Sequence, residues 1–201
     1  MMKKHAFPLV AAAILGCVLI AGMSENPSSS ASSAEKYKID NVHSSVLFRI
    51  KHFDVSYFHG RFNRISGSLM FDKDNPENCS LEAIVRVSSL DTNSSSRDRH
   101  LKGAEFFDAK KFPLLSFKST AFKKAGSNSY QVSGDLKLHG VTRPITIALE
   151  HTGSGPDAWG GFRAGFETTF TFKRSDFGMD EALRAVSDEV RLTISIETVR
   201  Q

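Results

Sequence analysis

The stretch Ser88 to Asp108, SSLDTNSSSRDRHLKGAEFFD, packs Arg97, Asp98, Arg99, His100 and Lys102 into six residues and ends on Phe106 and Phe107. Arginine and histidine so close together suit an anionic group, because the guanidinium fork matches a carboxylate or phosphate. The same residues also suit the polar side of a short helix pinned by ion pairs, the plainer role. A second mixture lies at His52 to Arg64, HFDVSYFHGRFNR. Its plain reading is a strand, a turn and a strand with a solvated edge. Its sharper reading is the mouth of a cavity, with Phe53, Tyr57, Phe58 and Phe62 at an apolar opening and Arg61 beside it.

Other candidate chemistries are weaker. His43, His52, His59, His100, His139 and His151 are scattered without metal-ligand spacing, so no metal or other cofactor is expected. The triplet Asp176-Phe177-Gly178 lacks the phosphate loop, strand lysine and catalytic aspartate that a kinase requires, and reads as a turn. No nucleophile elbow, HExxH, Walker loop or dinucleotide fingerprint occurs. Cys79 has no cysteine partner outside the N-terminal segment, so no internal disulfide is expected. The net charge of +4 falls to about +2 without Lys3 and Lys4, too little to argue for nucleic acid.

The elements that position these residues are strands. From Tyr37 onward apolar residues recur with period two. One strand face carries Val42, Ser44, Val46, Phe48 and Ile50; the next carries Gly67, Leu69 and Phe71. Leu81, Ala83, Val85 and Val87 follow, then Leu115, Phe117, Ser119 and Ala121. Tyr130, Val132, Gly134, Leu136 and Leu138 make a fifth, and Ile145, Ile147 and Leu149 a sixth. Phe162 to Phe172 and Val190 to Ile196 complete the set. About eight antiparallel strands, each with one apolar face, fit a sandwich or a closed barrel. Two stretches leave this pattern: Arg97 to Phe107, a short helix, and Asp176 to Glu189, with loose helical spacing. Of 20 aromatic residues, 16 are Phe, which has no polar handle and belongs in an apolar interior. In a barrel, Phe48, Val85, Phe117, Leu136, Phe166 and Phe170 point inward.

Residues 1–23 read as an export leader, with Lys3 and Lys4 ahead of an apolar run. Ile14-Leu15-Gly16-Cys17 resembles a lipoprotein box, which makes Cys17 a lipidation candidate. Three readings stay open: lipidation at Cys17, cleavage between Ala21 and Ala34, and an uncleaved anchor. All place the domain outside the cytoplasm. Residues 24–36 are a Ser-rich linker, and residues 37–201 the folded domain.

Four blocks in order, IDNVHSSVLFRIKHFDVSYFHGRF, SSLDTNSSSRDRHLKGAEFFDAKKFPLLSFKST, SGDLKLHGVTRPI and FKRSDFGM with VSDEVRLTISIE, resemble the YceI-like family. The resemblance implies an all-β, lipocalin-like antiparallel barrel with one or two short helices. It also implies binding of a polyisoprenoid or other long-chain amphiphile in the periplasm, and no enzymatic activity. Phe48, Phe53, Phe58, Phe62, Val85, Phe117, Leu136, Phe166 and Phe170 then become candidates for touching the lipid chain, and Arg61, Arg97, Arg99 and His100 for its head group. Arg99 is expected to pin the helix through Asp98 or Asp108, with Leu101, Phe106 and Phe107 facing inward. Membrane association through the N-terminus and a homodimer are both compatible with the sequence. The competing readings are an enzyme acting on an amphiphilic substrate and a structural protein whose phenylalanines fill the barrel.

Overall fold

The computed structural model describes residues 34–201. The leader, Cys17 and most of the Ser-rich linker lie outside the described residues. Ten strands follow in chain order: β1 (Glu35–His52), β2 (Ser56–Phe62), β3 (Ile65–Phe71), β4 (Ser80–Arg86), β5 (Leu90–Asp91), β6 (Leu114–Lys124), β7 (Ser129–Leu138), β8 (Val141–Pro156), β9 (Phe162–Lys173) and β10 (Val186–Arg200). One helix, α1 (Ser95–Leu101), lies between β5 and β6.

The sheet closes on itself because β1 pairs with β10. The first residues of β1 pair with β3, and its last seven pair with β2. Thus β2 and β3 act as one bent strand opposite bent β1, and the wall is an eight-stranded antiparallel barrel. The two-residue β5 only extends β2 at the edge. Closure removes the free edges that an open sheet of this length would expose.

Bulges decide which residues face inward. Between Asp40 and Ser45, β1 carries three residues more than β10 does between Glu197 and Ser195. An odd excess flips the side-chain phase. Tyr37 and Ile39 are buried before the bulge and Val46 after it, while Val42 is exposed; the expectation of Val42 sharing a face with Val46 is therefore corrected. Ser44 holds the bulge, its Oγ donating to the Asp40 carbonyl at 2.6 Å and accepting from the Glu197 amide at 3.1 Å. A one-residue bulge in β6 after Ser119 does the same. It turns Ala121 outward and Phe122 inward.

Two glycines allow aromatic rings to lie across the strands. A Cβ on Gly60 would sit 2.2 Å from the Phe48 ring that pairs opposite it, and one on Gly134 would sit 2.6 Å from the Phe117 ring. The segment Asp176 to Glu189 is not a helix. A 3-10 turn over Arg174–Phe177 ends at Gly178, whose φ of 70° is left-handed, and an irregular loop follows. Phe177 is buried, as a packing turn residue should be.

Candidate functional site

The inward faces enclose an apolar channel with two chambers. The outer one, about 430 Å³, opens at the end where β1, β7 and β9 finish and β10 begins. The inner one, about 90 Å³, lies deeper, and Phe62, Leu115, Leu136 and Leu192 line both. The outer volume falls in the usual range for small-molecule sites, roughly 300–1,000 Å³. At the far end Phe71 packs edge-on against Tyr130 and Phe166, with centroids 5.6 and 5.0 Å apart, and forms a floor with His151.

Of the chain-contact candidates, Phe48, Phe58, Phe62 and Leu136 line the outer chamber. Phe62, Val85, Phe117, Leu136, Phe166 and Phe170 line the inner one. Phe53 is corrected: it sits on the three-residue turn between β1 and β2 with φ of 48° and is 62% exposed. Phe48, Ile50 and His52 take the inward positions at the end of β1, so Phe53 falls on the other parity, its ring beside that of His52.

The head-group candidates divide by geometry. On α1, Arg97, His100 and Leu101 share the face toward the outer chamber, as spacings of three and four residues dictate. Arg97 is held there by Thr92, donating from Nε to Oγ1 at 3.0 Å and from Nη2 to the carbonyl at 2.6 Å, with its guanidinium 4.2 Å from the Phe58 ring centre. His100 pairs with exposed Glu105 at 3.1 Å. Arg99 falls on the opposite, exposed face, away from the chamber, and is corrected as a head-group contact. It is also corrected as the pin. Asp98 takes that role, accepting from the Thr92 amide at 2.9 Å and the Thr92 hydroxyl at 2.5 Å. Arg61 is corrected too: strand alternation turns Phe62 inward, so Arg61 faces out, in register with Asp91. Leu101, Phe106 and Phe107 do line the outer chamber.

Sequence reasoning missed Arg174. It continues the inward parity of Phe170 and Phe172, so an arginine at an inward position was the available signal. Only 4% exposed, it lines the mouth and donates to four backbone carbonyls: Ser187 at 3.0 Å, Met179 at 2.8 Å, Glu181 at 2.7 Å and Val186 at 2.9 Å. Burial pushes its pKa down, and the Asp188, Asp180 and Glu181 carboxylates push back up. This strap fixes the segment that brings Met179, Ala182 and Val186 to the mouth.

Two further groups of titratable side chains are committed to structure. Asp40, His43 and Glu197 bring three potential metal-ligand atoms within 4.8 Å of one another. The Arg163 guanidinium already serves the two carboxylates, reaching Asp40 at 2.9 Å and Glu197 at 2.5 Å, and a third, Asp157, at 3.0 Å. The cluster ties β1, β9 and β10 together across the closure. Buried Cys79 exchanges hydrogen bonds with the Asp72 backbone, and burial pushes its thiol pKa up.

Comparison with known proteins agrees with this architecture. The profile of the YceI-like domain matches residues 37–198. A UPF0312 protein of Pseudomonas aeruginosa is 43% identical over 170 residues, covering 84% of this chain and 88% of that protein. The crystal structure of Burkholderia cenocepacia BcnA superposes with a TM-score of 0.72 at 26% identity, covering 79% of this chain and 98% of that one. A polyisoprenoid binding domain from Saccharophagus degradans shares the fold, with a TM-score of 0.65 at 16% identity over 82% of this chain and 98% of that one. The chain belongs to the YceI-like family.

Proposed function

We propose that the barrel binds a long isoprenoid or comparable amphiphilic chain and holds it away from water. The observation that carries this reading is the pair of adjoining apolar chambers inside the barrel, which share Phe62, Leu115, Leu136 and Leu192 as walls, the outer one opening at the mouth. Each methylene moved from water into such a lining gains about 0.8 kcal/mol. Transfer from a bilayer is apolar to apolar, so loading from a membrane is near neutral and reversible, as a carrier or a store requires. The open volume argues against a barrel filled by its own side chains. The shared fold with a domain described as polyisoprenoid binding supports the same ligand class.

Binding rather than catalysis fits the polar groups at the mouth. Arg174 is spent on backbone carbonyls and Arg97 is held by Thr92, which leaves Arg97 and His100 as the edge that meets a polar head. Export belongs to the same proposal. The chain enters the barrel at Glu35, at the end opposite the mouth. A lipid on Cys17 would therefore hold the barrel by its floor, with the linker setting how far the mouth can turn toward a bilayer.

The test is native mass spectrometry of the protein from its host, followed by organic extraction, alongside Leu192→Trp. Leu192 lines both chambers, so a larger ring there blocks the channel. The wild type is expected to carry a lipid mass and the variant to lose it while keeping its β-sheet circular dichroism. A folded wild-type barrel that takes up no solubilised polyprenol or fatty chain would refute the proposal.

A further inference from the structure

Eight large apolar side chains are exposed among the described residues, and four of them crowd one side of the mouth. Phe53 and Val55 sit on the turn between β1 and β2, Tyr57 follows at the start of β2, and Leu183 lies on the loop between β9 and β10. Val55 is 85% exposed. The turn and the loop are joined, because the Phe53 amide donates to the Ala185 carbonyl at 2.7 Å. The Arg174 strap holds the loop in shape. Tyr57 is held as well, its ring centre 3.9 Å from the Arg49 guanidinium. The patch borders the opening directly: His52, Ser56, Tyr57 and Ala182 line the outer chamber.

Single exposed apolar residues are ordinary, but a group of them fixed around an opening marks an interaction surface. Charge points to what covers it. On the apolar side, over residues 49–55 and 173–191, six Lys and Arg offset six Asp and Glu. That side offers hydrocarbon without a net field. Across the mouth, residues 97–111 carry five Lys and Arg against three carboxylates. Arg97, Arg99, Lys110 and Lys111 are exposed there, while Asp98 is turned to Thr92. Apolar side chains beside a row of Lys and Arg fit the boundary between acyl chains and anionic head groups. The cargo fits the same partner, since a long chain leaving a bilayer for a distant mouth would expose its methylenes to water on the way.

We infer that the mouth rim is a docking surface for an anionic bilayer. Phe53, Val55, Tyr57 and Leu183 enter the acyl boundary, and the α1 side rests on the head groups. The chain then passes between bilayer and barrel without crossing water. This rests on the reading of the barrel as a holder of a long chain and adds where its cargo is exchanged. The opposite end, with Trp159 on the turn between β8 and β9, faces away from that bilayer.

The experiment uses the full chain with Cys17→Ser, so that no acyl anchor contributes. Vesicles are made of brominated lipid, either phosphatidylcholine alone or an equal mixture with phosphatidylglycerol. Bromine quenches tryptophan only at close range. The chain's one tryptophan, Trp159, is exposed at the floor end, and Val55→Trp with Trp159→Phe moves the probe to the rim. The mixed vesicles are expected to quench the tryptophan at position 55 and to leave Trp159 bright. Val55→Glu and Leu183→Glu should each weaken vesicle binding roughly 10-fold, the loss of part of one side chain's burial, and slow the uptake of a polyprenol from vesicles. Uptake from cyclodextrin should be unchanged, since neither residue lines a chamber. Arg99→Glu with Lys110→Glu should remove the preference for the mixed vesicles. Quenching of Trp159 but not of position 55 would mean attachment by the floor and overturn the inference. So would glutamates that break up a dimer and leave vesicle binding intact, which would make the patch a contact between copies. If the polyprenol loads from cyclodextrin but the rim is never quenched, docking fails and the proposed function stands. If it loads from neither source, the proposed function falls and this inference with it.

Discussion

Replacing Arg174 by methionine removes the strap over the mouth while keeping a long apolar stem in place. The wild-type guanidinium makes four hydrogen bonds of 2.7 to 3.0 Å to the carbonyls of residues 179, 181, 186 and 187. A hydrogen bond to a charged group contributes roughly 1.5–3 kcal/mol. Four such values do not add, because the freed carbonyls near the mouth recover water. The variant is also relieved of the desolvation of a buried cation. The net loss should be about 2–4 kcal/mol. For a domain of this size 1 kcal/mol shifts the melting temperature by about 2–4 °C, so the expected drop is about 5–15 °C. Arg174→Lys should recover less than half, since an ammonium is a point donor and cannot span carbonyls on two sides of the loop. Local opening should appear before global unfolding. Arg184 is exposed within the strapped loop, so tryptic cleavage after Arg184 should quicken in Arg174→Met under native conditions. A variant that melts within about 2 °C of wild type and is cut no faster at Arg184 would refute the strap.

On α1, Asp98→Ala should destabilise by about 1–3 kcal/mol, because it orphans the Thr92 amide and hydroxyl. Arg99→Ala, on the exposed face, should change stability by no more than about 0.5 kcal/mol; chemical denaturation of both variants reads the contrast, and reversed sizes would restore Arg99 as the pin. The closure cluster predicts an acid limb. Hydrogen bonding to His43, reinforced by the Val42 amide and Arg163, holds the Asp40 pKa down to about 2 against the opposing effect of burial. A depressed carboxylate contributes stability that is complete above its unfolded pKa, about 4, and is lost as pH falls toward 2. The melting-temperature gap between wild type and Asp40→Asn should therefore be widest above about pH 4 and shrink between about pH 4 and 2. A gap independent of pH across that window would rule out Asp40 as its source.

Much of this protein could be read along the chain, because its dominant signal is local. Strand periodicity depends on each residue's neighbours two positions away. β7 and β9 accordingly keep their inward residues, Tyr130 to Leu138 and Ala164 to Phe172, in the order their parity predicts. The turn at Gly178 and the inward set Leu101, Phe106 and Phe107 were legible for the same reason. The reading failed where parity is broken by something on another strand. The bulges that put Val42 and Ala121 outside arise from unequal residue counts on paired strands, a quantity no single segment contains. Phe53 lies on the opposite parity from the inward Phe48, Ile50 and His52 and is exposed on the turn that follows them.

Sequence alone thus determined an all-β chain with phenylalanine-rich inner faces and a polar helix beside one strand end. It could not choose between sandwich and barrel by periodicity, because both bury one face of every strand. That choice needed the β1–β10 pairing, a contact between chain ends with the largest loop to close. Tertiary structure also decided the partners of the charges. Within RDRHL every side chain could have been a ligand contact or a pin, and only the docking of α1 against Thr92 and Phe58 separated Arg97 and Asp98 from Arg99. The apolar rim is visible only in three dimensions, since Phe53 and Leu183 stand far apart along the chain and come to one side of the mouth where the Phe53 amide reaches Ala185.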